Sequence, residues 1–448
     1  MKKIKNTLKV IMIMALVGLS FNAFSQIDNF RSWDQDGVNV FEPKKDANTT
    51  FDGVKVKVGG AFTQQFQSLS HENDTAGNGV ALYDLAPGFP LATANLNLDV
   101  QLADGIRMSL ENYMSSRHHT EFWVKGGYIQ IDKLPMLGNP EFFTDKMRVK
   151  IGHYQPNFGD QQFRRSDNGN AMYNQFVGNY IMDGFTTEVG GEVYFFATED
   201  IMAMVGLTNG LINGGVTAPA DPNGKERKPT LYLKAAYDKE INDDTRVRLS
   251  ASFMNNANSG RNTFYGGDRT GSRFYGAMEE SGANLGGSGN FASGRWNPRF
   301  GNQIQAIQIN PFVKFKGLEI FGVVEMANGN NLVVDPNDAT QFIFDDDDKR
   351  SVMQVGGELL YRFLENESAY VGFKYNSLSG QLQGARDMNG DFYESSISRI
   401  EAAAGWYATK NLLLKAGYVN QTYTDFQAAS QYQGGSFNGV VIEAVAAF

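Results

Sequence analysis

Cysteine is absent from the 448 residues. No disulfide can staple the fold, and no thiol can act as nucleophile or metal ligand. Chains that cross an oxidising compartment often show this usage. Histidine is almost absent, limited to His71, His118, His119 and His153. A serine hydrolase needs a histidine within reach of its serine and a third group to orient it. No Gly-x-Ser-x-Gly elbow and no distinctive Ser–His pairing occur, so the chain reads as non-enzymatic. Beyond residue 25 there is no apolar run approaching the ~18 residues of a helical membrane span. Proline is scarce, at 12 residues, and helical amphipathic periods are nearly missing. Positive charge is in deficit too. A net charge of −9 argues against nucleic acid or an anionic membrane surface as partner.

The amino terminus carries the clearest local signal. Lys2, Lys3, Lys5 and Lys9 form a basic segment, Val10 to Phe21 is apolar, and Ala23-Phe24-Ser25 has the small-x-small pattern of a cleavage site. Residues 1–25 therefore read as a secretory signal peptide. The apolar stretch is too short for a helix across ~30 Å of hydrocarbon. No cysteine follows it, which excludes a lipoprotein anchor. Residues 26–50, with Phe30, Trp33 and Phe41 among charges, are too short for a domain. They read as an N-terminal extension lying in the periplasm or inserted into a lumen.

From residue 51 to residue 448 the hydrophobicity comes in short alternating pieces. In 245–254, Val247, Leu249, Ala251 and Phe253 alternate with Arg246, Arg248, Ser250 and Ser252. In 353–363, Met353, Val355, Leu359, Tyr361 and Phe363 oppose Gln354, Glu358 and Arg362. Period two is the strand signature. Tight links such as 103–105, 198–200, 316–317 and 409–410 alternate with long polar ones such as 68–92, 155–184, 257–301 and 328–350. That segregation predicts an all-β transmembrane antiparallel barrel of sixteen strands, with short turns on the periplasmic side. Eighteen is the alternative, because Asn262–Tyr265 and Arg273–Tyr275 could add a hairpin. Two places break the pattern. The apolar parity shifts around Gly126-Gly127, which predicts a bulge. Pro311 interrupts 303–315, which predicts a bulge or a rim position, since a closed barrel has no edge strand.

An apolar face toward lipid assigns the charged face to the lumen. Arg148, Lys150, Arg246, Arg248, Arg362, Arg399, Lys374 and Lys415 then point inward with Glu192, Asp238, Glu319, Glu358, Glu401 and Glu443. Basic residues outnumber acidic ones on this wall, and the mixture predicts a hydrated channel rather than a packed core. Aromatic residues near strand ends, among them Tyr154, Tyr361, Phe363, Tyr375, Trp406, Tyr418 and Phe448, read as interfacial girdles.

The final strand, with Val440, Ile442, Ala444, Ala446 and Phe448 on one parity, is similar to the closing strand of Gram-negative outer-membrane barrels. There the terminal aromatic is the signal read by the assembly machinery. A second resemblance lies at 151–159. Gly152, Pro156, Phe158 and Gly159 form a strand-to-loop corner ahead of the long third loop, 155–184. This corner resembles that of the phosphate-selective porin O and P family. The resemblance implies a homotrimeric outer-membrane barrel with no cofactor, whose third loop folds into the lumen and which carries anions past basic side chains. Arg164 and Arg165 fall where an inward loop would present positive charge; pairing with Asp160 and Asp167 is the competing reading. The sequence departs from that family in showing no dense basic ladder and in having acidic loops.

The chemistry left over is slight. Asp387–Glu394 spaces its oxygens as Ca²⁺ ligands often are, but Phe392 stands where an EF-hand loop needs glycine. A loop-bound Ca²⁺ and Asp345–Asp348 stay as minor expectations, and His118-His119 reads as a solvated loop tip. The leading expectation is an outer-membrane porin of a Gram-negative bacterium. It would sit in membrane lipid and pass small hydrophilic solutes, with anions or phosphate preferred. The alternatives are a substrate-specific oligosaccharide channel, with Phe264, Tyr265, Phe274, Tyr275 and Trp296 stacking on sugar rings, and a structural or adhesive barrel without conductance.

Overall fold

The structure is a computed structural model. It describes residues 27, 29–116, 122–210, 226–259, 262–267, 273–283, 293–331, 333–335, 338–343 and 348–448; for Asn78, Leu91, Asn302, Asn331 and 333–343 it describes the backbone alone. The proposed signal peptide, His118, His119 and Asp345–Asp347 lie outside these residues.

Sixteen antiparallel strands close into one barrel. In chain order they are β1 (Lys55–Glu72), β2 (Gly88–Ala103), β3 (Ile106–Ser115), β4 (Trp123–Ile131), β5 (Met147–Tyr154), β6 (Glu188–Phe196), β7 (Ile201–Thr208), β8 (Thr230–Asn242), β9 (Thr245–Asn256), β10 (Phe300–Phe315), β11 (Leu318–Asn331), β14 (Lys349–Phe363), β15 (Ala369–Gly380), β16 (Ser395–Thr409), β17 (Leu412–Thr424) and β18 (Ser436–Ala447). A short hairpin, β12 (Val333–Asp335) and β13 (Asp338–Ile343), stands outside the barrel in the β11–β14 connection. The described parts of 257–299, where the sequence left room for an extra hairpin, add no strand to the barrel. Closure pairs β1 with β18, Gln65 facing Glu443, and Phe448 exchanges backbone hydrogen bonds of 3.0 and 3.1 Å with Gly60.

Alternation decides which side is which. Along β14 exposed and buried residues alternate without a break from Lys349 to Phe363. Met353, Val355, Leu359 and Tyr361 are exposed, while Gln354, Glu358 and Arg362 are buried. A soluble protein would not expose this many large aliphatic and aromatic side chains in one band; a lipid-facing wall does. Tyr154, expected in a girdle, is instead buried. It shares parity with Arg148 and Lys150, so the pleat points it inward with them.

Both irregularities have local causes. The parity break at Gly126-Gly127 is a bulge one residue earlier: Glu111 pairs with Gly126 and Asn112 with Val124, leaving Lys125 extra. At Pro311 the expected bulge does not occur. The β10–β11 register is the same on both sides, Ile309 opposite Val324 and Phe312 opposite Phe321. Gly322 makes room, since a Cβ there would lie 2.8 Å from the proline ring, and the Asn310 side-chain amide donates to the Gly322 carbonyl at 3.1 Å. A side chain thus supplies the donor that proline lacks.

Candidate functional site: a lumen filled in three layers

The expectation of an open, hydrated lumen is corrected by what occupies it. Almost every residue of 156–186 is buried. This third loop leaves β5 at a glycine-dependent corner. A Cβ on Gly152 would collide with the Gly127 carbonyl at 2.3 Å, and Gly159 sits at φ 68° beside the Gln308 side chain. Phe158 packs edge-on against Phe264, ring centroids 5.1 Å apart.

From that corner the loop crosses the barrel, bonding to inward side chains all round the wall. Gly159 donates to Ser252 of β9 at 2.9 Å and Asp160 to Asn310 of β10 at 2.8 Å. Ile181 donates to Asn376 of β15 at 2.6 Å and Met182 to Gln354 of β14 at 2.8 Å. Lys415 of β17 donates to the carbonyls of Asn174 and Phe176, each at 2.8 Å, and Thr63 of β1 to that of Gly169 at 2.6 Å. Buried backbone polar groups need partners, and here the lumen wall supplies them.

A second layer lies below, at the end of the short turns. The described residues of 27–46 run across the half of the lumen on the side of the short turns. Gln35 donates to the Lys410 carbonyl at 2.9 Å, Asn39 to Glu319 at 2.6 Å, and Lys45 to the Met147 carbonyl at 2.6 Å. Glu42 is the main anchor, taking Lys234 at 2.7 Å, Arg248 at 2.6 Å and the Asn157 amide at 2.9 Å. Phe41 packs between Phe163 and Phe312. The third layer covers the loop from the other side. Trp296 donates to the Ile181 carbonyl at 2.7 Å, Gly267 to that of Phe185 at 3.0 Å, and Gln65 to that of Arg273 at 2.6 Å.

Most wall charges are spent on this filling. Arg164 is buried against Glu358 at 3.0 Å and Glu319 at 3.5 Å, and Arg165 against Asp183 at 3.2 Å. Neither pairs with Asp160 or Asp167. Asp160 goes to Arg248 at 2.8 Å and Lys234 at 2.9 Å, and Asp167 goes to Lys125. Arg148 pairs with Asp132 at 2.7 Å, Arg246 with Asp238 at 2.7 Å, and Arg399 with Glu401 at 3.5 Å. Arg362 donates to Glu319. Packed charges are tolerated only when partnered, and these are. Sequence reasoning found the charged wall but not Glu42, Asn39 or the covering of 257–299, because no periodicity marks a segment that contacts many strands at once.

Burial pushes the Glu42 carboxyl upward, but the facing Arg248 and Lys234 outweigh it and hold it well below the usual glutamate range. Docking of the extension is therefore favoured above ~4.3, the ordinary glutamate value, and weakens as pH falls below it. Hydrogen exchange at residues 38–46, corrected for intrinsic rate, should be faster at pH 3 than at pH 6. Equal protection at both would show that Glu42 does not hold the segment. Burial also lowers Lys45, to about 8, against the opposing pull of Asp132.

Two voids remain. A vestibule of about 1090 Å³ opens at the short-turn end, beneath Asn39 and beside Arg246, Lys314 and Arg362. An inner chamber of about 260 Å³ lies between the β3–β6 wall, the third loop and the extension, and Arg148, Lys150 and Arg165 line it. Among the described residues no group of three or more His, Cys, Asp or Glu could hold a metal ion. In the 387–394 loop, Asp387 accepts the backbone N–H groups of Asn389 and Asp391 at 2.8 and 3.0 Å, and Asp348 faces Arg386 at 3.4 Å.

No family model and no curated protein matches the chain. Solved structures do. An anion-selective porin from Comamonas acidovorans is 12% identical, with a TM-score of 0.50, over 88% of this chain and 100% of its own. An outer-membrane protein OmpT of Vibrio cholerae in trimer form is 9% identical, with a TM-score of 0.48, over 89% and 100%. Pseudomonas putida OprB is 11% identical, with a TM-score of 0.47, over 88% and 94%. At such identities the likeness is one of fold, a closed sixteen-strand antiparallel barrel.

Proposed function

We propose that this protein is an outer-membrane porin that passes small hydrophilic solutes, with anions preferred, along the β3–β6 side of its lumen. The observation that carries this reading is the position of the inner chamber. The third loop is tied to this wall at Glu192 and Lys125 but leaves free space where Arg148 and Lys150 of the wall face its own Arg165. Charge at a narrow point selects ions through the local field. The lipid-facing band, the closed sheet and the fold shared with known porins support placement in the outer membrane of a Gram-negative bacterium. A homotrimer assembled by the barrel machinery, and a phosphate preference, are finer readings of the same kind.

Arg165→Glu should move the reversal potential across a KCl gradient toward the cation side, because it reverses charge at the chamber wall and leaves Asp183 without its guanidinium. An unchanged potential would show that ions do not pass Arg165. The three-layer filling favours one second reading, a barrel closed at rest that conducts only when the extension leaves. The same recording distinguishes it, since it predicts no steps until residues 27–46 are removed.

A further inference from the structure

The inner chamber is lined by more cation than anion and by more ring than chain. Its acids are already engaged: Glu42 by Lys234 and Arg248, Glu111 and Asp167 by Lys125. Among the described residues, two of its cations, Arg31 and Arg107, form no ion pair with a carboxylate, and a third, Lys150, has only a long one. Arg31 donates only to the carbonyls of Gly37 and Phe163, at 2.9 and 2.8 Å, and stacks 3.6 Å over Tyr173. Arg107 donates to Gln130 at 2.7 Å, and its Nε and Nη1 have no hydrogen-bond partner. Lys150 has its nearest carboxylate, Glu192, at 3.9 Å, and its Nζ stands 4.5 and 4.2 Å from the Tyr128 and Tyr154 ring centres. With 16% of its side chain accessible, Lys150 is less enclosed than Glu192, which is fully buried. Elsewhere in the lumen, cations such as Arg248, Arg362 and Lys415 face carboxylates directly.

A buried charge without a counter-charge is costly; Arg31 and Arg107 have none, Lys150 has a distant one, and an anion in the chamber would complete all three. The rings narrow its class. A carboxylate accepts paired N–H groups from guanidinium, and a flat apolar body stacks on tyrosine. A strongly hydrated inorganic anion would have to give up its water against these rings. The volume of about 260 Å³ lies just below the ~300–1,000 Å³ of ordinary small-molecule sites, so the body is about one ring in size. Accordingly, we propose that the chamber is a binding site for a small planar organic carboxylate, held by Lys150, Arg107 and Arg31 with its ring against Tyr128 and Tyr154. The proposal rests on the reading of this side of the lumen as the solute route and names the class of solute. The extension supplies Arg31, so the site is complete only while the extension is docked.

Calorimetric titration of the full-length protein in detergent tests this without requiring conduction. Benzoate should bind saturably, inorganic phosphate should displace it poorly, and benzamidine, with the same ring and the opposite charge, should not bind. Lys150→Gln and Arg107→Gln should each weaken benzoate about tenfold or more, and Lys239→Gln, exposed on β8 and outside the chamber lining, should leave it unchanged. The ligand panel on the unaltered protein keeps the test valid if a variant fails to fold. Tight phosphate binding without benzoate binding would overturn the organic class. Equal binding of benzoate and benzamidine would overturn the role of the cations, and no binding of any of the three would overturn the site. A porin reading that fails shows instead as absent conductance, which this titration does not measure.

Discussion

Deleting residues 27–46 is expected to raise single-channel conductance several-fold. The segment crosses the short-turn half of the lumen and interlocks with the third loop, Arg31 donating to the Phe163 carbonyl at 2.8 Å and Asn39 bonding to both Arg164 and Glu319. Its removal joins the vestibule to the space beneath the loop. The barrel wall should survive, because the strands make their ladder with one another and the deletion leaves the β1–β18 closure in place. A milder variant, Asn39→Ala with Glu42→Ala, cuts two anchors without shortening the chain and should give frequent transitions to the larger step. Planar-bilayer recordings of both check the claim. Unchanged conductance in both would show that the extension does not obstruct the path.

Glu319→Ala is expected to destabilise the filled lumen by about 3–5 kcal/mol, the range for removing one partner of a buried ion pair. Glu319 is fully buried and serves three groups, Arg164 of the loop at 3.5 Å, Arg362 of the wall at 3.4 Å and Asn39 of the extension at 2.6 Å. Alanine leaves the Arg164 and Arg362 guanidinium groups sharing a buried site, with Glu358 the carboxylate that remains on Arg164. The loop, the extension and the wall lose a shared contact, so the urea midpoint in detergent should fall and the third loop should become accessible to protease. Glu319→Gln keeps an acceptor but removes the charge, and should fall between the two. A midpoint within error of the parent for Glu319→Ala would mean that water already reaches this cluster.

Much of the wall was legible in the sequence, and the filling was not. Strand periodicity is local: Val247 and Arg248 must point to opposite faces whatever lies beyond them. For the same reason the inward set could be read residue by residue, and Tyr154 could have been placed by the parity it shares with Lys150. Pro311 misled because the remedy joins two strands, the neighbouring Asn310 amide bonding across the pair to Gly322. The extension and the long loops have no repeat. Their positions come from single contacts between residues far apart, such as Glu42 with Arg248 and Gln65 with Arg273. Charge counting likewise showed a mixed wall but not which cations were already paired. That Arg164 meets Glu319 and Glu358, while Arg107 and Arg31 meet no carboxylate among the described residues, depends on how the loop is threaded.

The most direct test is reconstitution of the full-length, detergent-folded protein into a planar bilayer, with conductance and reversal potential recorded across a KCl gradient. A narrow path along the β3–β6 wall predicts small, stable, ohmic steps with a reversal potential on the anion side. A folded protein that never conducts, with or without residues 27–46, would contradict it.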